Sequence, residues 1–206
     1  MFSGIVEGRG RVRKMEKAGS NVRLVIDMGK AALSVRQGDS ISINGVCLSA
    51  VSRRGRLIAF DTIAETLRKT NLGALRIGSP VNYERSMKAT DLIGGHLVTG
   101  HIDGTGVISE VTDENGSIRM VVTVPEKIGS TVLEKGLVAV DGISLTPAEV
   151  TDSSFTLYLI PDTLKKTTMS ARVAGDKVNI ELDLFGKYIE RFVSRQLRDR
   201  VKGKKA

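Results

Sequence analysis

Several residue types that mark common classes of protein are scarce or absent in this chain of 206 residues. It has no tryptophan, three tyrosines and five phenylalanines, so an aromatic stacking platform would be sparse. Cys47 is the only cysteine, which excludes an internal disulfide. There is no apolar signal sequence and no apolar run long enough to span a membrane. We therefore expect a protein of the reducing cytoplasm that does not associate with membranes.

Ligands for metals and motifs for nucleotide cofactors are also lacking. The chain has two histidines, His96 and His101, and on an extended segment this odd spacing points them to opposite faces. With a single cysteine and no third histidine, we expect no metal site. GxGxxG, P-loop, HExxH, CxxC and Ser-His-Asp patterns are missing, so no cofactor is expected either.

The charge balance is moderately basic. Net charge is +8, from 31 basic and 23 acidic residues, and much of the excess lies in the tail "RFVSRQLRDRVKGKKA". Such an excess permits a nucleic acid or an anionic metabolite as partner and requires neither. The 22 glycines suit short strands joined by tight turns.

A repeat runs through the chain at a near-constant offset of about 97 residues. We interpret it as two copies of one small domain, since two units are too few for a solenoid. The predicted domains are 1–96 and 97–185, followed by a tail at 186–206. The matching blocks are 3–12 with 99–108, 43–51 with 140–150, 65–70 with 162–167, and 78–85 with 175–182.

Each half has the hydrophobic pattern of β-strands. Apolar residues alternate along 21–28 and 117–124, and Ile41 and Ile43 share one face, which is the period of half-buried strands. Gly-, Asn- and Asp-containing turns recur at short intervals. We therefore predict an all-β fold of sandwiches or small barrels, with a helical turn in "AETLRKTNLG" and in "PDTLKKTTM".

The tail is different, because its apolar residues recur at helical spacing. The pattern predicts one amphipathic helix of about four turns from Gly186. Its apolar stripe could dock on the chain's own barrels or bundle with copies of itself in an oligomer, which we favour. The stripe consists of Tyr188, Ile189, Phe192, Val193, Gln196, Leu197 and Val201.

One histidine breaks the internal symmetry. His101 lies in the glycine-rich stretch "GGHLVTGHIDGTG", where a backbone can approach a ligand closely, and its equivalent in the first half is Ile5. The repeat therefore does not require histidine here, and His101 is a catalytic candidate. The alternative is a turn histidine that donates to a backbone carbonyl.

Two small polar residues occupy matching places in the halves. Cys47 of "NGVCLS" corresponds to Ser144 of "DGISLT", which suggests two similar pockets, one in each half. Alternatively, Cys47 is a buried small hydrophobe and Ser144 a locally satisfied strand hydroxyl. Asp183 has no acidic counterpart, because the same offset leads to Ser86.

Six blocks together resemble the alpha-type riboflavin synthases: "MFSGIVEGRG", "NGVCLS", "ETLRKTNLG", "GGHLVTGHIDGTG", "KGLVAVDGISLT" and "LIPDTLKKTT". The resemblance extends in order from Met1 to about the tail. It implies an all-β fold of two antiparallel Greek-key barrels in tandem plus a C-terminal amphipathic helix, and a homotrimer formed through that helix.

The resemblance also implies a reaction. Two molecules of 6,7-dimethyl-8-ribityllumazine, bound together at one site, would exchange a four-carbon unit and give riboflavin and 5-amino-6-ribitylaminouracil. No cofactor or metal is implied. The N-terminal barrel of one subunit would face the C-terminal barrel of a neighbour, with the two ligands stacked between them.

The binding residues implied by the motifs fall into one set for each half, and Lys135 is implied to reach a ligand across subunits. The first set is Gly4, Ile5, Val6, Cys47, Leu48, Ser49, Asp61, Thr62, Ile63, Ala64, Glu65 and Thr66. The second set is Gly100, His101, Ile102, Ser144, Leu145, Thr146, Leu159, Ile160, Pro161, Asp162, Thr163 and Leu164.

Four residues are the catalytic candidates. We predict His101 as the base or proton shuttle, and Cys47 and Ser144 as nucleophile or ring contacts. Asp183 would orient Ser144 or a water, and Phe2 would close the pocket. The sequence departs from the family pattern at four positions: Ser3, Val46, Ser49 and Pro147. Proline removes a strand donor and should shift the C-terminal pocket.

Two other interpretations compete with an enzyme. A non-catalytic lumazine- or flavin-binding carrier would share the fold and the duplication. A basic tandem-barrel nucleic-acid binder is the second, but the aromatics are few and the charge gathers in the tail. Pathway logic also suggests association with lumazine synthase.

Overall fold

The first half folds into a closed antiparallel barrel. The computed structural model describes residues 1–203, with side chains described up to residue 197. The strand order β1-β2-β5-β4-β3-β6 closes because β6 pairs with β1. The strands are β1 (Gly8–Ala18), β2 (Asn21–Asp27), β3 (Ser40–Ile43), β4 (Val46–Arg54), β5 (Leu57–Thr62) and β6 (Pro80–Arg85), with helix α1 (Ala64–Lys69) after β5.

The second half repeats this path as a seven-stranded antiparallel sheet in the order β10-β9-β13-β7-β8-β12-β11. Its strands are β7 (Gly104–Glu114), β8 (Ser117–Thr123), β9 (Val138–Val140), β10 (Ile143–Leu145), β11 (Ala148–Thr151), β12 (Ser154–Leu159) and β13 (Lys177–Leu182). Helices α2 (Glu126–Gly129) and α3 (Pro161–Lys166) follow β8 and β12.

The predicted strand patterns are confirmed. Leu24 and Ile26 of β2 and Met120 and Val122 of β8 are fully buried, and each pair belongs to the core of its own barrel. The two halves also share a register shift, between Val12 and Lys14 in the first and at the matching place in β7. Such bulges bend a strand and increase its twist, which helps a sheet to curve into a barrel. The predicted helical turns are α1 and α3.

Pro147 explains why the second sheet stays open. It stands at the position of Ala50 in the repeat, where the Ala50 amide donates to the Asp39 carbonyl at 2.9 Å. Proline has no such N–H, so the strand that is continuous as β4 is divided into β10 and β11 at the two sheet edges. The companion bond survives, because the Lys135 amide still donates to the Pro147 carbonyl at 2.8 Å.

The two barrels meet through a buried polar network with pseudo-twofold symmetry. The Asn82 side chain donates to the Asp141 carbonyl at 3.0 Å, and the Asn179 side chain donates to the Asn44 carbonyl at 2.8 Å. Asp141 is fully buried and also accepts a bond of 2.6 Å from Arg172. Burial raises the pKa of Asp141, and Arg172 opposes this effect. Satisfied networks of this kind fix one relative arrangement of the packed elements.

Helix α4 (Leu184–Gly203) confirms the predicted C-terminal helix. Its apolar residues are exposed in the single chain: Tyr188 is 58% exposed, Ile189 63% and Phe192 64%. The interpretation that the stripe docks on the chain's own barrels is therefore wrong. Val201 of the predicted stripe lies outside the described side chains. In the part of the chain that the structure describes, no helix has the length and apolar character needed to cross a bilayer.

Candidate functional site

The short segment before the first strand of each half, residues 4–6 or 100–102, packs against the barrel formed by the other half. The Ser144 amide donates to the Gly4 carbonyl at 2.8 Å, and the Cys47 amide donates to the Gly100 carbonyl at 3.0 Å. Val6 belongs to the core of the second barrel, whereas Ile102 packs against the core of the first. Each pocket is therefore composite.

This exchange corrects the grouping of the site residues by halves. Gly4, Ile5 and Val6 belong with Ser144, Leu145, Thr146 and the 159–164 loop, and Gly100, His101 and Ile102 belong with Cys47, Leu48, Ser49 and the 61–66 loop. The two composite pockets are named below after Ser144 and Cys47. The boundaries at residues 96 and 185 remain predictions.

Glycine is needed where the exchanged segments cross. Gly4 and Gly100 have φ of +74° and +83°, a region that side-chain-bearing residues rarely adopt. A Cβ on Gly4 would lie 2.6 Å from the Ser144 Cβ, and one on Gly100 would lie 2.4 Å from the Cys47 Cβ. The backbone can therefore lie directly on each polar residue only because no side chain intervenes.

Two buried carboxylates hold these segments in place. Glu84 accepts bonds from the Ser3 amide at 2.6 Å, the Ser3 hydroxyl at 2.7 Å and the Gly4 amide at 3.0 Å. Glu181 forms the same three bonds to Thr99 and Gly100, at 2.7, 2.6 and 2.9 Å. Burial raises the pKa of Glu84, and these donors oppose the effect. The sequence analysis missed both residues, although they match within the repeat as "NYER" and "NIEL".

His96, which the sequence analysis did not select, contacts Ser144. The His96 Nδ1 and the Ser144 Oγ are 2.7 Å apart, and the His96 amide donates to the Ser3 carbonyl at 3.0 Å. The backbone of the preceding Gly95 lies so close to Ser144 that a Cβ on Gly95 would be 2.8 Å from the Ser144 Oγ. Position 96 has no counterpart in the first half, because the offset of 97 would place it before Met1. This lack of an equivalent was the available signal.

The surroundings of the His96 imidazole favour its neutral form. Burial lowers the pKa of His96, and the nearby Asp183 carboxylate opposes this effect. A neutral ring with its proton on Nε2 would accept a hydrogen bond from the Ser144 hydroxyl at Nδ1, whereas the other tautomer would donate from Nδ1 to the Ser144 oxygen. Among the described residues, the buried Nε2 has no hydrogen-bond partner.

Asp183 is close to this pair but does not hold Ser144. Its Oδ2 accepts a bond from the Gly186 amide at 3.1 Å, which caps the start of α4. Among the described residues, the only hydrogen-bond partner of the Ser144 hydroxyl is His96. Asp183 therefore makes no hydrogen bond to Ser144 in this structure, and its carboxylate raises the pKa of His96. That Asp183 orients a water remains a prediction.

The Cys47 pocket has different chemistry. Cys47 is partly buried and packs against the small cluster of Phe2, Val98 and Ala139. Phe2 is fully buried beneath Cys47 and pairs with Val98 through backbone bonds of 2.7 and 3.0 Å. It is therefore part of the interface between the barrels and does not close the pocket as predicted.

His101 lies at the exposed rim of this pocket. Its amide donates to the Thr99 hydroxyl at 3.2 Å, and within the described chain its imidazole has no partner. The turn-histidine alternative, with a side chain that donates to a backbone carbonyl, is therefore not what the structure shows. The ring remains available to a ligand or to a neighbouring subunit.

The two predicted loops have matching shapes. Thr62 and Leu159 are buried at the ends of β5 and β12. Helices α1 and α3 begin two residues later, at Ala64 and Pro161. Ile63 is 56% exposed and its equivalent Ile160 is 59% exposed, so each rim presents one aliphatic side chain. The remaining polar members make local contacts: Asp61 with Arg23, Glu65 with Arg68 and Lys69, and Asp162 with Lys166.

Lys135 projects into solvent from a strained turn. Its φ is +61°, and the equivalent residue of the first half is Gly38 with φ of +90°. Among the described residues, no acceptor binds its side chain, which leaves it free to reach beyond its own chain. The described residues also contain no cluster of three or more potential metal ligands.

A cavity of about 570 Å³ opens beside the exchanged N-terminal segment. Ser3, Ile5, Glu84 and Gly94 are among the residues that line it, but neither Ser144 nor Cys47 does. The two composite pockets contain the matched polar residues and the buried histidine, whereas this cavity contains neither.

Comparisons with known proteins agree with the duplication. The profile of the lumazine binding domain matches residues 3–86 and 99–183. The riboflavin synthase of Actinobacillus pleuropneumoniae is 41% identical over 98% of this chain and 94% of its own length. The Bacillus subtilis riboflavin synthase is 39% identical over 94% of this chain and 90% of its own length. The riboflavin synthase of Mycobacterium tuberculosis is 41% identical over 94% of this chain and 98% of its own length.

Solved structures give the same picture of the fold. LumP complexed with 6,7-dimethyl-8-(1'-D-ribityl) lumazine has a TM-score of 0.80, with 26% identity over 88% of this chain and 99% of that one. LumP complexed with riboflavin has a TM-score of 0.83, with the same identity and coverage.

Proposed function

The chain belongs to the riboflavin synthase family and contains two lumazine binding domains. We propose that its two composite pockets each hold one 6,7-dimethyl-8-ribityllumazine. The reaction is a dismutation in which a four-carbon unit passes from one lumazine to the other. The products are riboflavin and 5-amino-6-ribitylaminouracil. Because both reactants are the same compound, a duplicated domain with two related pockets suits them.

The hydrogen-bonded pair His96 and Ser144 is the observation that supports catalysis. In the tautomer with its proton on Nε2, the His96 imidazole accepts from the Ser144 hydroxyl across this 2.7 Å contact, and a hydroxyl with such a base is a better nucleophile than an isolated serine. We assign Ser144 to the reacting ring of one lumazine and His96 to the positioning and activation of Ser144. His101, on the rim of the other pocket, remains the predicted proton carrier.

Placement of the two rings supplies the rest of the rate. The 7-methyl group of the lumazine is acidic, because its carbanion is delocalised into an electron-poor ring. Two rings held face to face react as neighbours, and such proximity contributes roughly 7–11 kcal/mol in favourable cases. Ile63 and Ile160 provide apolar rim contacts for these rings.

A direct assay tests this function. The purified protein is mixed with 6,7-dimethyl-8-ribityllumazine without any added cofactor, and products are followed by absorbance and chromatography. One riboflavin per two lumazines consumed is the expected stoichiometry. Tight binding without turnover would favour the carrier interpretation, which the 26% identity to LumP supports less well than the 41% identity to riboflavin synthases.

Protonation of His96 gives an expected pH dependence. Its folded-state pKa lies below the ordinary value near 6.5, so the unfolded chain binds the proton more readily. The free energy of unfolding should therefore fall as pH drops below about 6.5 toward the lowered pKa. The turnover rate should fall at lower pH, where His96 of the folded protein becomes protonated. Urea unfolding and steady-state rates between about pH 5 and 8 measure the two effects.

Substitution of each histidine in turn tests whether His96 causes this pH dependence. In His96→Gln, the free energy of unfolding should no longer fall below about pH 6.5. In the matched variant His101→Gln, it should fall as in the wild type. The assignment is wrong if His96→Gln unfolds with the same pH dependence as the wild type.

The apolar stripe of α4 supports the trimer that the family resemblance implies. Five of its large side chains are at least 50% exposed, namely Tyr188, Ile189, Phe192, Val193 and Leu197, which is an unusual amount of apolar surface for a free helix. A trimer would bury this stripe and would bring Lys135 of one subunit to a pocket of another. Cytoplasmic location and association with lumazine synthase remain predictions.

Charge placed in the stripe should dissociate the assembly. We expect Ile189→Asp combined with Phe192→Asp to convert the protein to monomers and to abolish turnover, because a buried unpaired carboxylate is very unfavourable. The matched control is Arg191→Asp on the opposite face of α4, which should remain a trimer. Light scattering coupled to size-exclusion chromatography gives the mass, and a monomeric wild type would contradict the proposal.

A further inference from the structure

Four arginines surround a groove on the outer face of the first barrel. Arg9, Arg11 and Arg13 alternate along β1 and are all exposed, while Gly10 and Val12 between them point inward. Arg56 joins them from the β4–β5 turn, because its carbonyl accepts the Met28 amide at the end of β2. The groove has a volume of about 380 Å³ and is lined by Arg9, Gly10, Arg11, Arg13, Asp27, Gly29, Arg56 and Pro80.

One carboxylate organises this cluster without neutralising it. Asp27 accepts a bond of 3.0 Å from Arg13 and lies 3.4 Å from the Arg56 Nε. It also accepts the Gly29 amide at 3.0 Å, and these contacts lower the pKa of Asp27. Four guanidinium groups against one carboxylate leave an excess of three positive charges in the lining.

Most of the donors in the groove remain free. Arg11 gives one bond, to the Gly78 carbonyl at 2.9 Å, and Arg9 has no partner among the described residues. Each guanidinium carries five N–H donors in a fixed planar fork that matches the oxygens of phosphate groups. The groove therefore offers many guanidinium N–H donors for which the described residues supply no acceptor.

The second barrel shows that the fold does not need these charges. At the positions equivalent to Arg9, Arg11 and Arg13, it has Thr105, Val107 and Ser109 on β7. At the position of Arg56 it has Ser153, whose carbonyl accepts the Val124 amide in the same way. The equivalent backbone of the second half thus forms without a cation at any of the four positions. We therefore infer that the clustered arginines serve binding and are not required for folding.

We propose that this groove is a binding site for a small oligophosphate anion, such as a linked diphosphate or triphosphate group. Several adjacent anionic oxygens are required to use four guanidinium groups at once. The volume lies at the lower end of the roughly 300–1,000 Å³ at which proteins bind small molecules. None of the residues that line the groove is aromatic, so no side chain is available to stack on a nucleotide base. The site would therefore recognise the phosphate groups of its ligand.

Calorimetric titration of the full chain with tripolyphosphate tests the site. We expect one saturable site per chain whose affinity weakens as salt is raised. The variant Arg9→Gln combined with Arg56→Gln should bind at least about ten-fold more weakly, because two charge-assisted contacts are lost and Asp27 keeps its partner Arg13.

The matched control removes the same charge from the same barrel. Arg53→Gln with Arg54→Gln alters two exposed arginines that do not line the groove, and tripolyphosphate affinity should change less than about two-fold. Thermal unfolding checks that both double variants fold as the wild type does.

Further titrations distinguish the possible ligands. Equal affinities for ATP and tripolyphosphate would support recognition through the phosphate chain alone. Equal losses in the two double variants would show a diffuse basic surface and would overturn the proposal. Binding of a single-stranded oligonucleotide without saturable binding of tripolyphosphate would also overturn it, in favour of a nucleic-acid surface.

Discussion

Ser144→Ala is expected to lower kcat for riboflavin formation by about 10²–10⁴-fold, which is the usual contribution of a positioned proton-transfer group. The Ser144 hydroxyl is the group that His96 contacts, at 2.7 Å, and alanine removes it while leaving the backbone bond to Gly4 in place. KM should change much less than kcat, because the pocket keeps its shape. Steady-state kinetics with 6,7-dimethyl-8-ribityllumazine measure both parameters.

The internal repeat provides the matched control. Cys47 is the equivalent residue in the other pocket, but its thiol packs against Phe2, Val98 and Ala139 and has no imidazole partner. We expect Cys47→Ala to retain kcat within about ten-fold, as befits a packing residue. If Cys47→Ala loses turnover and Ser144→Ala does not, the chemistry occurs in the Cys47 pocket and the assignment is wrong.

Asp141→Ala should destabilise the folded protein by about 3–5 kcal/mol, the cost of leaving a buried ion pair without one member. The Asp141 carboxylate is fully buried and accepts bonds from Arg172 at 2.6 Å, from the Asn71 side chain at 2.8 Å and from the Asn179 amide at 2.8 Å. Its removal leaves these donors unpaired at the junction of the two barrels. Urea unfolding monitored by circular dichroism measures the loss.

Asp176→Ala is the control for this effect, since Asp176 is the other carboxylate near Arg172. It lies 3.8 Å from that guanidinium, is half-buried and accepts the Val173 amide at 3.1 Å. We expect a loss of at most about 1.5 kcal/mol. Equal losses in the two variants would mean that Arg172 is held by its whole surroundings and that Asp141 is not the key partner.

The sequence by itself determined the fold class and the duplication. The alternation in 21–28 and 117–124 requires only that one face of each strand be buried, and that is a local property. The repeat offset of about 97 residues and the apolar stripe after Gly186 are equally local, and they predicted two similar β units and a terminal helix. The family resemblance depended on short blocks that are intact in this chain.

The partners of each site residue were decided only by the tertiary structure. Gly4 and Ser144 are separated by 140 residues and His96 and Ser144 by 48, and no periodicity specifies contacts at such separations. The blocks of the repeat therefore grouped the candidate residues by halves, whereas the structure pairs them across the halves, because both N-terminal segments cross to the other barrel. Likewise, Pro147 divides a strand only because its position requires an N–H, and the four arginines form one groove only because β1, β2 and the β4–β5 turn meet in the closed barrel.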